Sequence, residues 1–163
     1  MLRKLLIGTA AGAVGTAALN GVTYGDMVVR GRGSSSVPAE VAGKLAGKVG
    51  IDLSVEGEAP DGPTAQNRQS GLGALQGYAV GLGIGALYGL VGPDPRHVRP
   101  LRAGAVLGLA AMAGSDVPTA VLGVSDPRQW GLSAWLSDLV PHLAYGLTTA
   151  ATYKALARGE MPY

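Results

Sequence analysis

The chain contains two long stretches with no charged residue. Twenty-one residues separate Lys4 from Asp26, and twenty-five separate Arg68 from Asp94. A hydrocarbon layer about 30 Å thick is crossed by ~20 helical residues rising 1.5 Å each. Both stretches are long enough to cross it. Two further runs have the length but carry ionisable groups: 103–124 contains Asp116, and 131–153 contains Asp138 and His142. Such a group at a helix centre costs about 2.5–3.5 kcal/mol on insertion scales, which the surrounding Leu, Val, Ala and Trp offset. Four spans follow, at about 5–27, 71–92, 102–124 and 131–153. A soluble helix of this length would carry a polar stripe at period 3.6. The second span offers only Gln76 and two tyrosines. The expected fold is all-α, a four-helix transmembrane bundle forming a single integral membrane domain.

Composition narrows the chemistry. Charged residues make up 15% of the chain, against about 25% in soluble domains. With no Cys, there is no disulfide framework, cysteine zinc site or thiol nucleophile. A net charge of +2 gives no footprint for nucleic acid. Arg3 and Lys4 stand where a signal peptide has its basic region, with Ala11-Gly12-Ala13 as a cleavage-like site. The apolar run continues past that site, so it reads as the first span.

Residues 30–70 form the one long connection. Val37, Val41, Leu45 and Val49 recur every fourth position, and Glu40 precedes Lys44 by four. This predicts a short amphipathic helix in the first loop, lying on the membrane surface or capping the bundle. Residues 52–70 read as a flexible loop. Trp130 and Trp135 flank the last turn, where interfacial aromatics belong. In the short loops, Arg96, Arg99 and Arg102 on one side face Arg128 on the other. That bias predicts a bacterial plasma membrane protein with both termini cytoplasmic.

Small residues recur at spacing four. Gly73, Gly77, Gly81, Gly85 and Gly89 form a glycine zipper on the second span. Gly8 and Gly12 start a ridge on the first, Gly104 and Gly108 on the third, and Gly146 lies on that of the fourth. In lipid such ridges drive close helix packing. The partners expected are the lipid bilayer and either a second copy or other membrane helices.

The polar residues fall on the same ridges. Asn20, Asp116, Asp138 and His142 should face the interior at one depth, with Tyr24 and Ser137 completing the lining. Pro118 and Pro141 cannot donate to the carbonyls of Gly114 and Ser137, which leaves free oxygens beside both carboxylates. Gly114–Pro118 is also a place where the third span could break. Two readings stay open. In one, the Asp/His site handles protons or a small cation, with one carboxyl protonated because like charges cannot share a dry site. In the other, the layer is structural, and the chain is an accessory subunit that packs on membrane helices through its glycine ridges. No catalytic motif, cofactor site or metal-ligand set is present, and the chain reads as a non-enzyme.

Leu19-Asn20-Gly21-Val22-Thr23-Tyr24-Gly25-Asp26-Met27, Asp126-Pro127-Arg128, Trp135-Leu136-Ser137-Asp138 and Pro141-His142-Leu143-Ala144-Tyr145-Gly146 resemble stretches of small uncharacterised multi-pass proteins of high-GC bacteria. The general layout is also loosely similar to the YagU-like inner-membrane proteins. The resemblance leaves out residues 40–70. It implies a membrane fold and no activity.

Overall fold

Prolines open three of the five helices. A computed structural model describes residues 1–158, with α1 at Leu2–Arg30, α2 at Val37–Lys48 and α3 at Pro63–Val91. α4 runs over Pro100–Val121 and α5 over Leu132–Arg158. Pro38, Pro63 and Pro100 occupy first-turn positions of α2, α3 and α4, where a missing N–H costs nothing and φ is already helical. α1 stops at Gly31, whose φ of 62° is the left-handed cap that glycine adopts freely. Single 3-10 turns, Pro95–His97 and Pro127–Gln129, lead into α4 and α5.

The four long helices pack in the order α3, α1, α5, α4, with a narrower contact between α3 and α4. Neighbours run antiparallel: Gly8 meets Gly89 and Gly12 meets Gly85, while Gly15 meets Tyr145 and Gly104 meets Leu147. The ends of α1 and α4 and the starts of α3 and α5 therefore share one end of the molecule. Residue 2 and residue 158 lie at the other. The core is thin. One cluster joins Ala11, Val98, Tyr153 and Ala157, and a second joins Leu107, Ala111, Tyr145 and Ala150.

Three helices, α1, α3 and α4, are long and apolar enough to cross a membrane. Only 28%, 17% and 33% of their most apolar stretches are buried inside the protein. Leu75, Leu87, Val106, Leu109 and Val121 point outward instead. An outer surface of this kind is at home in lipid rather than water.

The sequence expectation of four such spans is corrected here. α5 has the length, at 27 residues, but does not reach the hydropathy of the other three. Ser133, Ser137, Asp138, His142, Thr148 and Thr149 lower it. α5 packs on α1 and α4 at once, which leaves Asp138, His142 and Thr148 half-buried and Thr149 buried, while Ser133 stays exposed. Two local expectations change as well. Residues 63–70, read as loop, are the first two turns of α3, tied back by Arg68 to the carbonyls of Leu53 and Ser54. α4 runs unbroken through Gly114–Pro118. Finally, α2 seats Val41, Ala42 and Ala46 against the other helices, with Gly73 admitting the backbone of Pro38 and Ala39.

Candidate functional site

The α4–α5 interface is built by glycines. A Cβ on Gly108 would lie 2.7 Å from the His142 carbonyl oxygen, and one on Gly104 would lie 2.7 Å from Leu147 Cα. Gly146 sits between these two glycines. This close approach carries the two helices side by side up to Ser115, Asp116, Asp138 and His142.

There the polar groups meet. Asp138 and His142 are one turn apart on α5, with His142 Nδ1 3.3 Å from Asp138 Oδ1 and 2.8 Å from the Asp138 carbonyl oxygen. The carbonyl accepts from Nδ1–H and so fixes that proton. Across the interface, Ser115 donates to the Met112 carbonyl at 2.9 Å, while its Oγ lies 3.5 Å from His142 Nε2. With its proton on Nδ1, a neutral His142 presents Nε2 as an acceptor, and Nε2 becomes a donor to Oγ only when the imidazole is protonated. The Asp116 carboxyl lies within reach of both the Asp138 carboxyl and His142. Asp138 Oδ2 is buried and has no hydrogen-bond partner among the described residues. Two carboxylates facing each other have no hydrogen to share; one proton between them would supply it.

The other predicted site residues make no hydrogen bond to this cluster among the described residues. Asn20 is half-buried on α1 and makes no hydrogen bond to the acids among the described residues. Tyr24 is 59% exposed. Ser137 faces α1, where it accepts from Arg30. Of the packing glycines, Gly8, Gly12, Gly81, Gly85 and Gly89 lie at the α1–α3 contact, and Gly104, Gly108 and Gly146 at the α4–α5 contact. Gly73 meets α2, and Gly77 faces open space. The expected interior layer of six residues is thus three ionisable groups plus Ser115.

Ser115 was missed, although Ser115-Asp116-Val117-Pro118 echoes Ser137-Asp138-Leu139-Val140-Pro141. Also missed was a polar cluster where α1 ends against the start of α5. Asp26 binds Arg30 at 2.6 Å and Arg32 at 2.5 Å, and Arg30 reaches Ser133 at 2.6 Å. The i,i+4 spacings of Asp26 with Arg30 and of Ser133 with Ser137 were the available signal. A third polar contact ties the centre: Tyr145, 1% exposed, donates to the Gly81 carbonyl at 2.6 Å.

Comparison with known proteins supplies no relative: no family model, curated protein or solved structure matches the chain.

Proposed function

We propose that this chain is an integral membrane protein that exchanges protons at the Asp116–Asp138–His142 site. The observation that carries the reading is the buried, unpartnered Oδ2 of Asp138, whose carboxyl interacts with that of Asp116. Buried polar atoms are nearly always hydrogen-bonded, and an orphan beside an acid is filled most simply by a proton. His142 extends the route. Its Nδ1–H is held by the Asp138 carbonyl, and a proton arriving at Nε2 meets the Ser115 oxygen. Asp116, Asp138 and His142 come together, but among the described residues no such group is arranged to hold a metal ion, so the reading is a proton rather than a metal cation.

In this reading α5 is a fourth crossing of the bacterial plasma membrane. It packs against both α1 and α4, and Asp138, His142 and Thr149 are partly or fully buried there. The accessory-subunit reading draws less support, since four of the five zipper glycines on α3 face other helices of the same chain.

Infrared difference spectroscopy on the reconstituted protein tests the proposal. A protonated-carboxyl band should be present near neutral pH and vanish in Asp116→Asn or Asp138→Asn. It should shift promptly when the sample is moved into D2O. Absence of the band overturns the shared proton. A band that stays unshifted in D2O makes the layer a sealed structural one.

A further inference from the structure

A groove of about 210 Å³ runs between the last turns of α1 and the first turns of α5. Val22, Leu136, Val140 and Pro141 form its apolar wall; Asp26, Arg30 and Ser137 sit at its polar end. Leu136 and Val140 are each 48% exposed, so the groove opens sideways, toward the surface on which α1, α3 and α4 present apolar side chains. Its polar end is level with the Trp130–Trp135 pair, stacked edge to face at 5.2 Å at the start of α5. Paired tryptophans of this kind mark the headgroup level of a bilayer.

The charge there is unbalanced. One carboxylate, Asp26, serves two guanidinium groups. Arg32 spends Nε on Asp26 and Nη1 on the Gly33 carbonyl, and its Nη2 donates to nothing among the described residues. The cluster therefore carries one positive charge in excess, with planar donors shaped for a phosphate.

We propose that this groove binds one anionic glycerophospholipid, an acyl chain along Val22, Leu136 and Val140 and the phosphate on Arg30 and Arg32. The apolar wall assigns the anion to a lipid rather than to free phosphate, which would have no use for it. The proposal rests on the chain lying in a membrane and is independent of the Asp/His site.

The test uses the full chain purified in detergent. Phosphatidylglycerol and phosphatidylcholine of identical chains, brominated on the acyl tail, are titrated while Trp130 and Trp135 fluorescence is followed. Phosphatidylglycerol should quench at about fivefold lower concentration, the effect of the one positive charge in excess at the surface. Arg32→Gln lies beyond the helix end and leaves the fold intact; it should bring the two lipids close to parity. Leu136→Phe, which fills the groove without adding a tryptophan, should weaken both. Equal quenching by the two lipids in the wild type, or an unchanged preference in Arg32→Gln, overturns the site. Displacement of the lipid by inorganic phosphate alone overturns the lipid assignment and leaves an anion site only. The membrane reading fails separately, if the chain is recovered in the soluble fraction of cells broken without detergent.

Discussion

At the scale of single residues, the helices are held by what the glycines lack. A Cβ built on Gly85 would lie 2.7 Å from Gly12 Cα and 2.8 Å from its nitrogen. Both are backbone atoms that cannot swing aside, so α1 and α3 would have to separate. Gly85→Ala should therefore lower stability by about 1–3 kcal/mol, the usual cost of overpacking. Gly77, four residues from Gly81 on the same ridge, has nothing within 4 Å of its Cβ position. Gly77→Ala should instead raise stability, by up to about 1 kcal/mol from helix propensity alone. Thermal unfolding of both variants in one detergent decides the matter. Equal effects would mean that the ridge is not packed as described. The spacing in the sequence marked both glycines alike. What it did not contain is the slow winding of a four-residue ridge around its helix, which carries successive positions to different neighbours. Gly73 thus reaches α2, Gly77 faces outward, and Gly81 to Gly89 meet α1.

At the scale of elements, the two Asp-Pro-Arg turns are the same device used twice. Asp94 accepts from the Arg96 backbone N–H at 2.8 Å, and Asp126 accepts from that of Arg128 at 3.0 Å. Each carboxylate also holds its arginine's guanidinium. These bonds favour the charged form and bring both carboxyls down to about 2. A depressed folded pKa stabilises the turn fully above the ordinary 3.8, and the contribution is lost as pH falls toward about 2. Carboxyl carbon shifts followed by NMR should titrate near 2 for Asp94 and Asp126. Arg96→Gln should raise the midpoint of Asp94 and leave that of Asp126 in place. Midpoints near the ordinary value in the wild type would show that the turns do not form. Existence and type of the helices were legible in the sequence, because charge-free runs and period-four patterns are long signals. Helix boundaries were less so. The polar start of α3 reads as loop by composition, yet Pro63 and the Arg68 contacts to Leu53 and Ser54 make it helix. The amphipathic pattern of α2 was visible, but its packed face was not. Small Ala42 and Ala46 take the tight side, while the larger Leu45 and Val49 turn outward.

At the scale of the molecule, packing bears on the path of α5 more than hydropathy does. A helix lodged between two others can carry Asp138, His142 and two threonines because protein, not lipid, surrounds them. Hydropathy sums residues without regard to facing, so it undercounts such a helix. The same facing was only half legible for the acids. Ridge position put Asp116, Asp138 and His142 toward a neighbouring helix, and the structure sets them at the α4–α5 interface. It also put Asn20 there, which makes no hydrogen bond to the acids among the described residues. If α5 crosses, Arg158 lies on the same side of the membrane as the turn at His97, and opposite Ser35. The absence of native Cys makes this directly testable. Ser35→Cys, His97→Cys and Arg158→Cys are each exposed to a membrane-impermeant maleimide in intact cells and again after lysis. The expected pattern is labelling of position 35 in intact cells, with 97 and 158 reacting only after lysis. The reverse pattern inverts the predicted orientation but keeps the crossing, since 97 and 158 still share a side. Position 158 reacting together with 35, and apart from 97, would remove α5 from the membrane. The Asp/His cluster would then sit at a surface, where water reaches it freely and no buried proton site exists.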